Sequence, residues 1–164
     1  MTNAPRPSSP SRYHLTFHTY GTWLPGDDRG WHHRGDGETP RPPSPGLHRW
    51  CAAQMDHPAL QFTPRQRDVV RGAFLEHCAH RGFPVASIAV QAEHVHLVVT
   101  ATVPPEALMT SLKGWATRAL RRDGLPREQT VWATHGSTRR LVTHRRFDNA
   151  VHYDLDDHHR EPRG

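Results

Sequence analysis

The chain has 164 residues, enough for one domain with a substantial core. Its 21 Lys+Arg against 16 Asp+Glu leave a net charge of +5 and a pI near 10.0, a balance that favours polyanions such as nucleic acid. No stretch approaches the ~18 apolar residues needed to span a bilayer, "MTNAPRPSSPSR" lacks the apolar segment of a signal peptide, and Cys51 and Cys78 match no zinc or redox spacing. A reducing cytoplasm is the expected setting, with the nucleoid as the location when DNA is bound, and no membrane partner is expected.

Residues 1–12 are rich in Pro and Ser and predict a flexible tail. "YHLTFHTYGT" (13–22) then alternates as a strand, with Leu15, Phe17 and Thr19 on one face and His14, Thr16, His18 and Tyr20 on the other. Residues 24–60 are crowded with Gly and Pro, which predicts a long surface loop without a regular element. From Thr63 a helix is expected: Thr63 suits the N-cap, Pro64 the first helical position, and Gly82 the stop. Val69, Val70, Ala73, Phe74, His77 and Cys78 form its apolar stripe.

"PVASIAVQ" (84–91) reads as a second strand, joined by a tight hairpin to a third that contains "AEHVHLVVT" (92–100). A second long helix spans about 105–122, with Leu108, Leu112, Trp115, Ala116 and Ala119 inward and Lys113, Thr117 and Arg121 along another face. "TVWATHGSTRRLVT" leads as a strand or hairpin, with "HGSTR" most simply its turn, into a short C-terminal helix with Phe147, Ala150 and Val151 at helical spacing. Strand, helix, strand, strand, helix, strand, helix predicts an α+β fold. Its antiparallel sheet is of the split βαβ (ferredoxin-like) type, with two long helices on one face. The expected organisation is a tail (1–12), a catalytic domain (13–158) with 24–60 as a loop insertion, and a tail (159–164).

The third strand carries the chemistry. Side chains alternate across a strand, so His94 and His96 share one face while Val95, Leu97 and Val99 share the other. If the valines pack under the helices, both imidazoles lie on the open face together with His14, His18 and Tyr20. Polar and aromatic groups gathered there suit a nucleic-acid strand, and Lys113, Arg121, Arg139 and Arg140 are further candidate DNA contacts. Two imidazoles do not complete a coordination shell. Tyr153 and Asp157 stand four apart and share a helix face, so the carboxylate can join His94 and His96 on a divalent ion, Mg²⁺ or Mn²⁺, beside the phenol. A Lewis-acid ion with a phenolic oxygen in line describes covalent cleavage of a phosphodiester. Tyr20 is the weaker nucleophile candidate, and Asp154 and Asp156 read as solvated charge.

"HVHLVV", then "SLKGWATRAL", then "VWATHGSTRRL", then a tyrosine in the last helix resembles the single-tyrosine HUH transposases, the small insertion-sequence type and its REP-associated relatives. The resemblance runs from about Tyr13 to Asp157. It implies a nuclease and strand transferase acting on single-stranded DNA at hairpins or imperfect palindromes, as a monomer or a homodimer. It implies a metal on His94 and His96, with Asp157 at the third-ligand position, where the family commonly has an amide. It also implies attack by Tyr153 that leaves a 5′-phosphotyrosine and a free 3′-OH. Two other readings stand beside it: a catalytically silent DNA-binding derivative, and a histidine-triad nucleotide hydrolase, whose third histidine position is here Val98.

Overall fold

The computed structural model describes residues 9–33 and 39–157. Strand β1 (Ser11–Thr19) is followed by α1 (Pro45–Ala53), α2 (Pro64–Arg81), β2 (Val85–Val90), β3 (His94–Ala101), α3 (Pro105–Arg122), β4 (Trp132–Arg140) and α4 (His144–Asp157). The sheet order is β2-β3-β1-β4, with every neighbouring pair antiparallel. This is the α+β architecture expected from the element order.

Local sequence accounts for the element ends. The Thr63 hydroxyl accepts from the Gln66 N–H (3.2 Å), and the Gln66 side chain accepts from the Thr63 N–H (3.0 Å). This reciprocal box starts α2. Gly82, at φ +66°, ends it in the left-handed conformation that a side chain disfavours. Thr63→Ala is expected to lower stability by about 1 kcal/mol, seen as a lower urea midpoint with an unchanged slope; an unchanged midpoint would count against the cap.

The alternation in β1 and β3 sends Tyr13, Leu15, Phe17, Val95, Leu97 and Val99 into one core with Val70, Phe74 and Cys78 of α2 and Leu108, Leu112, Ala116 and Leu120 of α3. Burial raises the Cys78 thiol to about 11, as befits a core residue and not a reactive one. On the reverse face, Val98 packs with Leu141 and Ala150, and Phe147 and Val151 lie against them, so α4 covers β2 and β3 from the side opposite α2 and α3.

Four expectations are corrected. The 24–60 segment contains a regular element, α1: Pro45 starts it, and the Gly26 carbonyl accepts from the Ser44 N–H just before it. β1 begins at Ser11, inside the expected tail, because Ser11 and Arg12 pair with Ala101 and Thr100. It ends at Thr19, before Tyr20. Gly136, Ser137 and Thr138 are mid-strand in β4, opposite Phe17, Thr16 and Leu15, and do not form a turn. Glycine is needed there because a Cβ would stand 2.7 Å from the Thr16 carbonyl oxygen. Asp154 is fully buried and is not solvated charge. It extends the stripe of Phe147, Ala150 and Val151 by one more turn, so it faces the sheet.

Candidate functional site

The site forms where the polar face of β1 and β3 meets the C-terminal half of α4. His18 and His94 are direct cross-strand partners with ring centroids 5.6 Å apart, and His94 and His96 stand edge to face at 4.9 Å. His14 lies 5.5 Å from His96 on the other side. Thr16, the cross-strand partner of His96, shares a 3.0 Å hydrogen bond with its Nδ1 and so fixes the ring plane.

Helix α4 brings two residues to this row. Tyr153 is 58% exposed, with its ring perpendicular to that of His96 at 5.5 Å. The next residue, Asp154, points inward. Ser87 of β2 donates to its Oδ2 at 2.7 Å, and its Oδ1 lies 3.2 Å from Nε2 of His14. That last contact has the length of an ion pair but not the direction of a hydrogen bond, and both atoms are buried without a hydrogen-bond partner. One donor atom from each of His14, His96 and Asp154 lies within 4.8 Å of the others, a two-nitrogen, one-oxygen set that suits a divalent metal ion. Sequence reasoning placed His14 among the DNA contacts and passed over Asp154. The signal for Asp154 was its place on the Phe147–Ala150–Val151 stripe. Asp157 ends α4, and its side chain lies outside the described residues.

Electrostatics keep part of this row neutral. Burial first, then electrostatic repulsion of a charged ring by His94, His96 and Arg29, lower the His18 imidazole to about 4. The loop after β1 closes over that end of the row. Trp23 packs edge-on against His18 at 4.6 Å and donates to the Gly30 carbonyl. Arg29 binds Asp27 through two nitrogens at 2.8 Å, holding that carboxyl below its ordinary range, and reaches Glu93 at 3.5 Å.

The candidate DNA contacts are scattered. Arg139, the cross-strand partner of His14, lines a cleft of roughly 480 Å³ with His14, Arg146, Asn149 and Tyr153 over a floor of Leu141 and Ala150. Arg140 pairs with Tyr13 and so leaves the sheet on the opposite face. Lys113 and Arg121 belong to α3, on the far side of the sheet from Tyr153. Lys113 donates to the Ala133 carbonyl at 2.8 Å, and burial lowers its ammonium; Arg121 donates to the Arg127 carbonyl. The Tyr20 hydroxyl accepts from the Asp56 N–H at 3.2 Å. Trp31 is buried and donates to the Pro42 carbonyl, whereas Trp115 and Trp132 lie half-buried against the core.

Residues 58–142, just over half of the chain, match the family model described as "Transposase IS200 like". No curated protein matches the chain. Among solved structures, a REP-associated tyrosine transposase bound to a REP hairpin is similar over 96% of this chain and 72% of its own, at 13% identity and a TM-score of 0.56. A candidate transposase from Deinococcus radiodurans R1 is similar over 98% of this chain and 100% of its own, at 14% identity and a TM-score of 0.53. Identities this low speak for a shared fold. Among the described residues, no helix is long and apolar enough to cross a membrane.

Proposed function

The chain belongs to the IS200-like transposase family, and from that premise we propose that it cuts and rejoins single-stranded DNA through a covalent tyrosine intermediate. The nucleophile is Tyr153, and a divalent cation, Mg²⁺ or Mn²⁺, is held at the row of histidines that contains His94 and His96. The observation that carries this reading is the placement of Tyr153, solvent-open and edge-on to His96 at 5.5 Å. The rival phenols are less available: Tyr13 is buried in the core, and Tyr20 has its oxygen tied to a backbone amide.

The orphaned buried atoms at His14 and Asp154 fit a cation at this row. When bound, such an ion supplies Lewis-acid stabilisation of the charge that develops on the phosphoryl oxygens. The chain's own residues do the rest. The Tyr153 oxygen bonds to phosphorus as the bond from phosphorus to the 3′ oxygen breaks, leaving the 5′ phosphate on the tyrosine and a 3′-OH. Arg139 and Arg146, along the cleft beside Tyr153, hold the flanking phosphates by charge-assisted hydrogen bonds and fix the strand in line. A hairpin is the favoured substrate because the similar REP-associated protein is bound to one.

The test is to incubate the chain with Mn²⁺ and labelled hairpin oligonucleotides and to look for a covalent adduct on a denaturing gel, with the modified peptide located by mass. An adduct on the peptide containing Tyr153 is expected. Hairpin binding with no adduct under any divalent ion would overturn the strand-transfer reading in favour of a catalytically silent DNA-binding protein.

A further inference from the structure

We propose that the cleft beside Tyr153 is a base-reading subsite, in which the side-chain amide of Asn149 binds the edge of one unpaired adenine or cytosine next to the scissile phosphate. The inference rests on the strand-transfer reading for the place of that phosphate alone.

The case begins with the order of side chains along α4. Arg146, Asn149, Ala150 and Tyr153 stand at helical spacing and together form one wall of the cleft. At 1.5 Å of rise per residue, Asn149 lies about 6 Å from Tyr153 along the helix axis and Arg146 about 10 Å. The wall therefore runs from phenol to amide to guanidinium. One nucleotide of a single strand has the matching order: the phosphate that Tyr153 attacks, then a base, then the next phosphate. Arg139 of β4 adds a second cation from the sheet side.

The floor of the cleft suits the face of a base. Leu141 and Ala150 are buried, yet both line the opening, so a flat apolar ring laid between the arginines covers apolar surface. The cleft holds roughly 480 Å³, within the range of about 300–1,000 Å³ that small-ligand sites occupy.

The walls decide which base edge fits. Arginine side chains only donate hydrogen bonds, and the Tyr153 oxygen is committed to phosphorus. The Nε2 atom of His14 faces Asp154 at 3.2 Å, away from an incoming base. Acceptance in the cleft thus falls to the Oδ1 atom of Asn149, which is exposed to solvent and sits one turn from the nucleophile. Its amide also donates, so it matches an edge on which an exocyclic amino group stands beside an unprotonated ring nitrogen. Adenine and cytosine present such an edge when unpaired. Guanine and thymine offer carbonyl oxygens, which the arginines satisfy without an acceptor.

The experiment uses the full chain with Mn²⁺ and hairpin oligonucleotides whose unpaired flank carries A, C, G or T at each position in turn. Affinity and the rate of adduct formation are both measured. At one position beside the adducted phosphate, the unmodified chain is expected to favour A or C over G and T by about tenfold or more, the scale of one bidentate contact to a base. Removing the exocyclic amino group from the favoured base, with purine for adenine or 2-pyrimidinone for cytosine, should erase the advantage. Asn149→Ala should bring the four bases within about threefold of one another, with a urea midpoint close to that of the unmodified chain because the side chain is exposed. The subsite is overturned if Asn149→Ala keeps the preference, if G or T is favoured, or if no flank position discriminates. In those cases an adduct on Tyr153 leaves the strand-transfer reading standing. A preference in affinity that Asn149→Ala removes, with no adduct on any oligonucleotide, would sustain the base contact and sink strand transfer.

Discussion

Tyr153→Phe is expected to eliminate the covalent protein–DNA adduct and to reduce strand cleavage by at least about 1,000-fold, the scale seen when an enzymatic nucleophile is removed. The substitution deletes only the oxygen. The ring that meets His96 at 5.5 Å is retained, and because the side chain is largely exposed, stability should stay within about 0.5 kcal/mol. Hairpin binding should hold within about threefold, since the proposed strand path relies on the cleft arginines for its phosphates and not on the phenol. The measurement is parallel: adduct by denaturing gel, affinity by titration of labelled hairpin, fold by urea melt. Tyr20→Phe serves as the control, because its oxygen is committed to the Asp56 amide, and it should form adduct normally. An adduct from the Tyr153→Phe chain would remove Tyr153 from the mechanism.

The largest effect on stability is expected at Phe17. Its side chain is fully buried, with ring contacts to Trp132 at 5.3 Å and Phe74 at 5.6 Å and the Lys113 ammonium 5.5 Å above its face. Phe17→Ala removes that ring from the junction of β1, β4 and α2 and should cost about 3–5 kcal/mol, against a total of about 5–15 kcal/mol for an ordinary domain. The same strand carries His14, Thr16 and His18 on its other face, so loosening the inner side of β1 also loosens the histidine row. Urea unfolding of the purified chain gives the answer, and a loss below about 1 kcal/mol would show that the Phe17 site collapses without a cavity.

Much of the fold was legible because its signals are local. A threonine, a proline and a glycine at the right intervals define α2, and a period of two divides β1 and β3 into a core face and a histidine face. The shared face of His94 and His96 follows from that period alone. Helix α1 escaped because Gly and Pro dominate the composition around it, although Pro45 stands where a helix begins and its nine residues bury none of their side chains. Gly136 was misread as a turn residue because glycine signals a bend locally. In the fold, the reason for glycine is the approach of the Thr16 carbonyl from the neighbouring strand.

By itself, the sequence determined the order of every element but α1, the two-faced sheet and the candidates His96 and Tyr153, since each depends on residues within a turn or a strand of one another. Only the tertiary structure decided that His14 and Asp154 meet beside His96. These residues lie on β1, α4 and β3, and their donors converge because β1 pairs with β3 while the apolar stripe of α4 seats its last turn over both. Spacing along one helix singled out the carboxylate four residues beyond Tyr153. The Asp157 side chain lies outside the described residues, whereas Asp154 is buried against the sheet, because the side of a helix that faces a neighbour is set by the whole apolar stripe and not by a single pair of residues.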